Sequence, residues 1–291
     1  MSSTVDFLRS KAVSTVSVLK HNRIARMIMA PIMTAQFELR DIKYATSPDS
    51  LYIRKLKDVH RGQRCFIIGN GPSVTINDLD SLADEITFAA NGITNLFSKT
   101  NWRPTYYLAV DREFIMHEAS LFPSLPVDRI MVNWTPFSKK IQGAPKITLL
   151  NKRPARYSTK KYTTSNIFFS ERPDLYVSEG YTVTYTALQL AIWMGFSEIY
   201  LVGIDHTYTH VADEDGNVFI ADGVIDHCYE DAEGTHVNPQ FRDGAEFAYR
   251  LALSEAVKRN IKIANATRGG TLEIFDRVNI NSVLCKKDGA E

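Results

Sequence analysis

Hydrophobic and polar positions alternate between two regimes along this chain. Short, wholly apolar runs such as Cys65-Phe66-Ile67-Ile68 read as strands buried on both faces. Longer stretches with helical spacing separate them. Strands are predicted at Cys65–Ile68, Glu85–Ala90, Thr105–Val110, Arg129–Val132, Glu198–Asp205 and Ile261–Asn265. Helices are predicted at Ile76–Leu82, Thr184–Met194, where Gly195 supplies the stop, and Ala245–Arg259. Strands alternating with helices imply an α/β fold: a Rossmann-like, doubly wound, mostly parallel sheet spanning residues 61–291.

Residues 1–60 form a mostly helical N-terminal segment, with Pro31 expected to kink or restart it. Leu19, Ile24, Met27, Ile28 and Ile32 recur at helical spacing among basic residues. Such a helix packs on its own domain or on a second copy of the chain, or lies peripherally on an anionic membrane surface at the inner face. Residues 136–180 and 206–243 carry no sustained period and read as loops, the first as a lid or binding loop.

Charge narrows the field of functions. Lys plus Arg number 34 against 33 Asp plus Glu, a net +1, which argues against a nucleic-acid partner. Three widely spaced cysteines without a CxxC pair exclude a zinc ribbon and fit a reducing, cytoplasmic setting. No apolar run is long enough to span a bilayer, and the N-terminus lacks the pattern of a signal peptide.

The chemistry-bearing residues fall at strand ends. Gly69-Asn70-Gly71-Pro72-Ser73 follows an apolar strand and precedes a helix, a turn suited to the phosphate end of a nucleotide. It is neither a GxGxxG fingerprint nor a Walker loop. Asn91 follows the next strand, where an amide can meet a base, ribose or phosphate or simply cap a helix. Asp111 and Asp205 each follow a strand; they can hold Mg²⁺, hold a sugar hydroxyl, or cap the next element. Thr182-Val183-Thr184 opens a helix and offers a second anion site or a plain N-cap. A loop with His206, His210, His227 and His236 lacks the spacing of a helical metal site and can supply a single general base.

In order, Arg64 to Ser73, Asn91, the Tyr106-Tyr107 strand ending in Asp111, Thr182 to Tyr185, Ile199 to His206 and Asn265-Ala266-Thr267-Arg268-Gly269-Gly270 resemble the 6-hydroxymethylpterin diphosphokinase-like (MptE-like) proteins of bacterial surface-polysaccharide clusters. More distantly, over roughly residues 60–280, the chain is similar to bacterial sialyltransferases with a variant GT-A fold. The second resemblance implies a glycosyltransferase of surface-glycan biosynthesis that moves a sugar, a nonulosonic acid being one candidate, from a cytidine-nucleotide sugar donor to a glycan acceptor. It places Asn70 and Asn91 on the nucleotide, Val183 and Thr184 at the helix start, and His227 or His236 as catalytic base, with Tyr208 and Tyr229 near the leaving phosphate. Asp205 joins the histidines as a candidate catalytic group. The first implies diphosphate transfer from ATP with Mg²⁺ on Asp111 and Asp205. A non-catalytic nucleotide-binding scaffold is the third alternative. No cofactor is firmly implied.

Overall fold

A computed structural model describes residues 23–135, 138–153, 162–165, 167–229 and 239–285. Its centre is an eight-stranded sheet, and every strand pair in it is parallel. The strands are β1 (Arg64–Ile68), β2 (Thr87–Ala90), β3 (Tyr106–Ala109), β4 (Ile130–Asn133), β5 (Ile147–Leu150), β8 (Glu198–Val202), β11 (Lys262–Asn265) and β12 (Asp276–Arg277). Two small pairs complete the set: β6 (Lys152–Arg153) with β7 (Val177–Ser178), and β9 (His210–Ala212) with β10 (Val218–Ile220).

The spatial order is β12-β11-β8-β1-β2-β3-β4-β5. From β1 the chain steps outward to β5, then returns to lay β8 on the other side of β1. The order therefore reverses between β1 and β8, and such a reversal opens a crevice at the carboxyl ends of the two strands.

Period-two alternation divides the strand side chains between two cores. Cys65, Ile67, Phe88, Tyr106 and Leu108 face one layer, with α2 (Pro48–Lys55), α5 (Val183–Trp193) and α6 (Arg242–Lys258) over it. Phe66, Ile68, Tyr107 and Ala109 face the other. That side is covered by α3 (Ile76–Ser81), a 3₁₀ turn (Asn91–Leu96), α4 (Arg112–Glu118) and α7 (Ile280–Leu284). Helix α5 is buried continuously from Thr184 to Ile192, which explains why it reads as apolar all round. It ends at Gly195 with φ +85°, the stop its sequence implied.

Three expectations change. Helix α1 (Arg23–Ala45) runs through Pro31 instead of restarting there. The side chains of Leu19, Ile24, Met27, Ile28 and Ile32 lie outside the described residues. From Arg40 onward the segment is built into the domain: the Tyr44 hydroxyl donates to the Leu149 carbonyl at 2.6 Å, the Asp49 carboxylate accepts the Leu149 N–H, and Ile53 is fully buried. The second change is that residues 136–180 hold β5, the edge strand of the main sheet, and so are not one loop. The third is that residues 206–243 contain the β9–β10 hairpin, closed around Asp213 and Gly216. Among the described residues, no helix is long and apolar enough to cross a membrane.

Candidate functional site

The two turns leaving β1 and β8 interlock at the reversal of strand order. Gly69 N–H donates to the Val202 carbonyl at 2.8 Å, and Gly71 N–H to the Gly203 carbonyl at 3.0 Å. A Cβ on Gly69 would overlap the Gly203 carbonyl, and one on Gly71 would overlap the Asp205 carboxylate. The Ser73 hydroxyl donates to Asp205 Oδ2 at 2.8 Å. Glycine is thus required by the close approach of the two turns.

Neither glycine N–H is therefore free for a phosphate, since one is bound by the end of β8 and the other by the turn after it. Nor does the following helix offer an anion site. It begins only at Ile76, has six residues, and Thr75 and Asp78 close its first turn as a reciprocal capping box. Pro72 sits exposed at the tip of the turn.

Asn70 and Asn91 have a different character. Asn70 Nδ2 donates to the Ala90 carbonyl at 3.2 Å, which fixes the amide orientation. Its Oδ1, like that of Asn91, is buried without a hydrogen-bond partner. Asn91 holds φ +47°, a left-handed backbone that Asn tolerates better than most residues, and the Tyr107 hydroxyl donates to its carbonyl at 2.8 Å. A small open recess lies alongside, walled by Ile68, Ala90, Leu108, Val183 and Thr184. Strands β1 to β3 and the start of α5 therefore converge on one crevice. Thr182 is the N-cap of α5, its hydroxyl accepting the Thr184 N–H at 3.3 Å.

The loop after β11 clamps both turns. Thr267 Oγ1 accepts the Ile204 N–H at 3.0 Å, and Thr271 N–H donates to the Asp205 carbonyl at 2.7 Å. Arg268 pairs with Asp78 and donates to the Ser73 carbonyl at 3.1 Å. Burial alone would raise the Asp78 pKa, but the Arg268 guanidinium and the Thr75 bonds outweigh it and hold that carboxyl below its ordinary range. The Asn265–Gly270 motif is thereby explained as a brace.

His206 is a second brace. It follows Asp205 with φ +57° and a fully buried side chain. Its ring nitrogens lie 3.2 Å from the Tyr208 hydroxyl and 3.4 Å from Glu246 Oε1. Burial and the nearby Arg242 charge lower its pKa, against the pull of Glu246. A ring so enclosed orients its turn and does not reach a substrate.

His227 sits closer to the crevice. The next residue, Cys228, donates its N–H to the Asn70 carbonyl at 2.7 Å, and the His227 ring stacks on Tyr229 at 5.0 Å. His236 lies outside the described residues.

The shared Mg²⁺ site on Asp111 and Asp205 does not fit. Asp111 is the N-cap of α4, accepting the Phe114 N–H at 2.7 Å. Its strand, β3, is three places from β8, so the two carboxylates hang from strands roughly 14 Å apart. Ligands about 2 Å from one ion cannot span that gap. Among the described residues, no group of three or more His, Cys, Asp or Glu is placed to hold a metal.

Asn133 was not anticipated. It ends β4, is buried, and has an Oδ1 without a partner. An apolar run followed by Asn is the signal that singled out Asn91, and Met131-Val132-Asn133 carries it too.

Fold and site together define a Rossmann-like α/β protein whose crevice lies at the carboxyl ends of β1 to β3, beside the reversal of strand order. The 6-hydroxymethylpterin diphosphokinase MptE-like family model matches residues 39–211, and the chain belongs to that family. The membership fits a transferase. No curated protein matches the chain.

Proposed function

We propose that the protein is a nucleotide-dependent glycosyltransferase that moves a sugar from a cytidine-nucleotide donor to a carbohydrate hydroxyl. The observation that carries this reading is the pair of buried, unpartnered carboxamide oxygens on Asn70 and Asn91. An acceptor left without a donor costs free energy until a ligand supplies one. Ionised phosphate oxygens cannot supply it; the amino group of cytosine and the hydroxyls of ribose can. The Asn pair thus suits the nucleoside, and the Thr182–Thr184 start of α5, an eleven-residue helix, suits the phosphate. Asp205 is held by the Ser73 hydroxyl in the turn after β8, against Gly71. His227, the neighbour of the Cys228 whose N–H holds the Asn70 carbonyl, takes the acceptor proton as general base. Surface-glycan assembly at a membrane face is the setting in which such a product is used.

The family match is the specific observation favouring a second reading, Mg²⁺-dependent diphosphate transfer from ATP to a pterin alcohol. Under that reading any metal has to be held without the Asp111–Asp205 pair.

One assay separates the two. Purified protein is incubated with cytidine-nucleotide sugars and glycan acceptors in EDTA, and in parallel with ATP, Mg²⁺ and 6-hydroxymethylpterin. Release of CMP with glycan product in EDTA, reduced about 10²- to 10⁴-fold by His227→Ala, is the result expected. Turnover confined to the ATP and Mg²⁺ arm moves the assignment to the second reading. Tight nucleotide binding with no product in either arm indicates a scaffold.

A further inference from the structure

The carboxyl edge of the sheet continues past the nucleotide crevice, and its far end carries a second polar cluster. Asn133 ends β4 and Asn151 follows β5; they are 6% and 1% exposed, and the Oδ1 of each has no partner. The orientation of Asn151 is fixed, because its Nδ2 donates to Asp41 Oδ1 at 2.6 Å and to the Leu175 carbonyl at 2.7 Å. Helix α1 lays Arg40 across this edge, between the rings of Phe37 (4.8 Å) and Trp134 (5.9 Å).

Arg40 Nη2 donates to the Lys152 carbonyl at 2.6 Å, while its Nε is buried without a partner. Its neighbours Arg153 and Lys152 are ion-paired with Asp41 and Glu179 respectively. Among the described residues Arg40 has no carboxylate in ion-pair contact. A half-buried guanidinium that shares the charge of Asp41 with Arg153, beside two carboxamide oxygens without donors and an indole ring, is unfavourable as it stands. One kind of ligand satisfies all of it: an anion for Arg40, hydroxyls for Asn133 and Asn151, and a C–H face for Trp134.

We propose that the ends of β4 and β5 form a subsite for an acidic sugar unit, its carboxylate on Arg40 and its hydroxyls on Asn133 and Asn151. The subsite lies two to four strands from Asn91 and Asn70, roughly 10–19 Å along the edge, which is the reach of a nucleotide with an attached sugar or an adjoining acceptor. Its place in catalysis rests on the glycosyltransferase reading; the binding itself does not.

The test is a titration of the full chain, without nucleotide, followed by Trp fluorescence and saturation-transfer NMR. The probes are glucuronate, glucose and inorganic phosphate. Glucuronate is expected to bind at least ten times more tightly than glucose or phosphate, with the fluorescence change abolished in Trp134→Phe. Arg40→Gln is expected to weaken glucuronate at least tenfold while leaving CMP affinity and melting temperature unchanged. Asn133→Ala, which keeps the guanidinium, is expected to weaken glucuronate by a smaller factor and supplies the test if Arg40→Gln does not fold. Equal binding of glucose, preference for phosphate, or unaltered glucuronate affinity in the variants overturns the subsite. A wild-type chain that binds glucuronate but no CMP retains the subsite and discards the nucleotide reading.

Discussion

At Gly71 the demand is steric. The Asp205 carboxylate stands where a Cβ would go, and the Gly71 N–H is already bound to the Gly203 carbonyl just after β8. Gly71→Ala is therefore expected to cost about 1–3 kcal/mol of stability, the range for forcing an added methyl into a packed site. Urea unfolding checks this, and an unchanged midpoint contradicts the interlock. Asn91 answers a different demand, because its side chain supplies an acceptor while its backbone needs the left-handed region. Asn91→Gly removes the acceptor and keeps the backbone accessible, making it a cleaner probe than Ala. It is expected to weaken nucleotide binding about 5- to 150-fold, the equivalent of one lost hydrogen bond of roughly 1–3 kcal/mol.

Among the elements, the loop after β11 contributes most to the geometry of the crevice. Arg268 ties it to Asp78 at the start of α3 and to the Ser73 carbonyl. Because the Asp78 carboxyl titrates below its ordinary range when folded, its contribution is complete above the unfolded value, about 3.9, and is lost as pH falls through the folded value. Wild type is thus expected to melt higher than Arg268→Ala at pH 6, with the gap closing as pH drops below about 4. A gap that stays constant with pH shows that the ion pair is not its source.

Much of this element structure is legible in the chain. β1, β2, β3, β4, β8, β11 and the helices α3, α5 and α6 follow from apolar runs and helical spacing, because buried parallel strands leave an unbroken signature. β5 escapes because its four residues, Ile147 to Leu150, hold only three apolar ones and sit within a basic and aromatic stretch that reads as loop. The β9–β10 hairpin escapes because Val218, Phe219 and Ile220 are exposed on it, so no alternation marks a buried face. Its Asp215-Gly216 pair is nevertheless a hairpin signal. The site is legible as a set of strand ends. Their pairing is not, since only the β8-β1-β2-β3 order shows that Asp205 meets Ser73 and that Asp111 is too far away to join it.

Over the whole molecule, the N-terminal helices belong to the same fold as the sheet. Ile53 is fully buried in the core formed with α5 and α6, so Ile53→Ala is expected to destabilise the entire domain by about 2–5 kcal/mol in a single transition. A separate, earlier melting step for the helices contradicts that unity. The layout also places a hydrogen-bonding ledge along the carboxyl ends of β1, β2, β4 and β5, where Asn70, Asn91, Asn133 and Asn151 each hold an acceptor without a donor. Such a ledge is suited to an elongated ligand rich in hydroxyl and amino groups.

On the reading proposed above, Asn70 and Asn91 recognise a cytidine nucleotide in the crevice between β1, β2 and α5. The most direct measurement is isothermal titration of CMP, in EDTA, into wild type and Asn91→Gly, with ATP with and without Mg²⁺ as the comparison. Wild type is expected to bind CMP without metal, the variant at least fivefold more weakly, and neither to bind ATP comparably. Equal CMP affinity in both proteins, or binding of ATP alone and only with Mg²⁺, contradicts that reading.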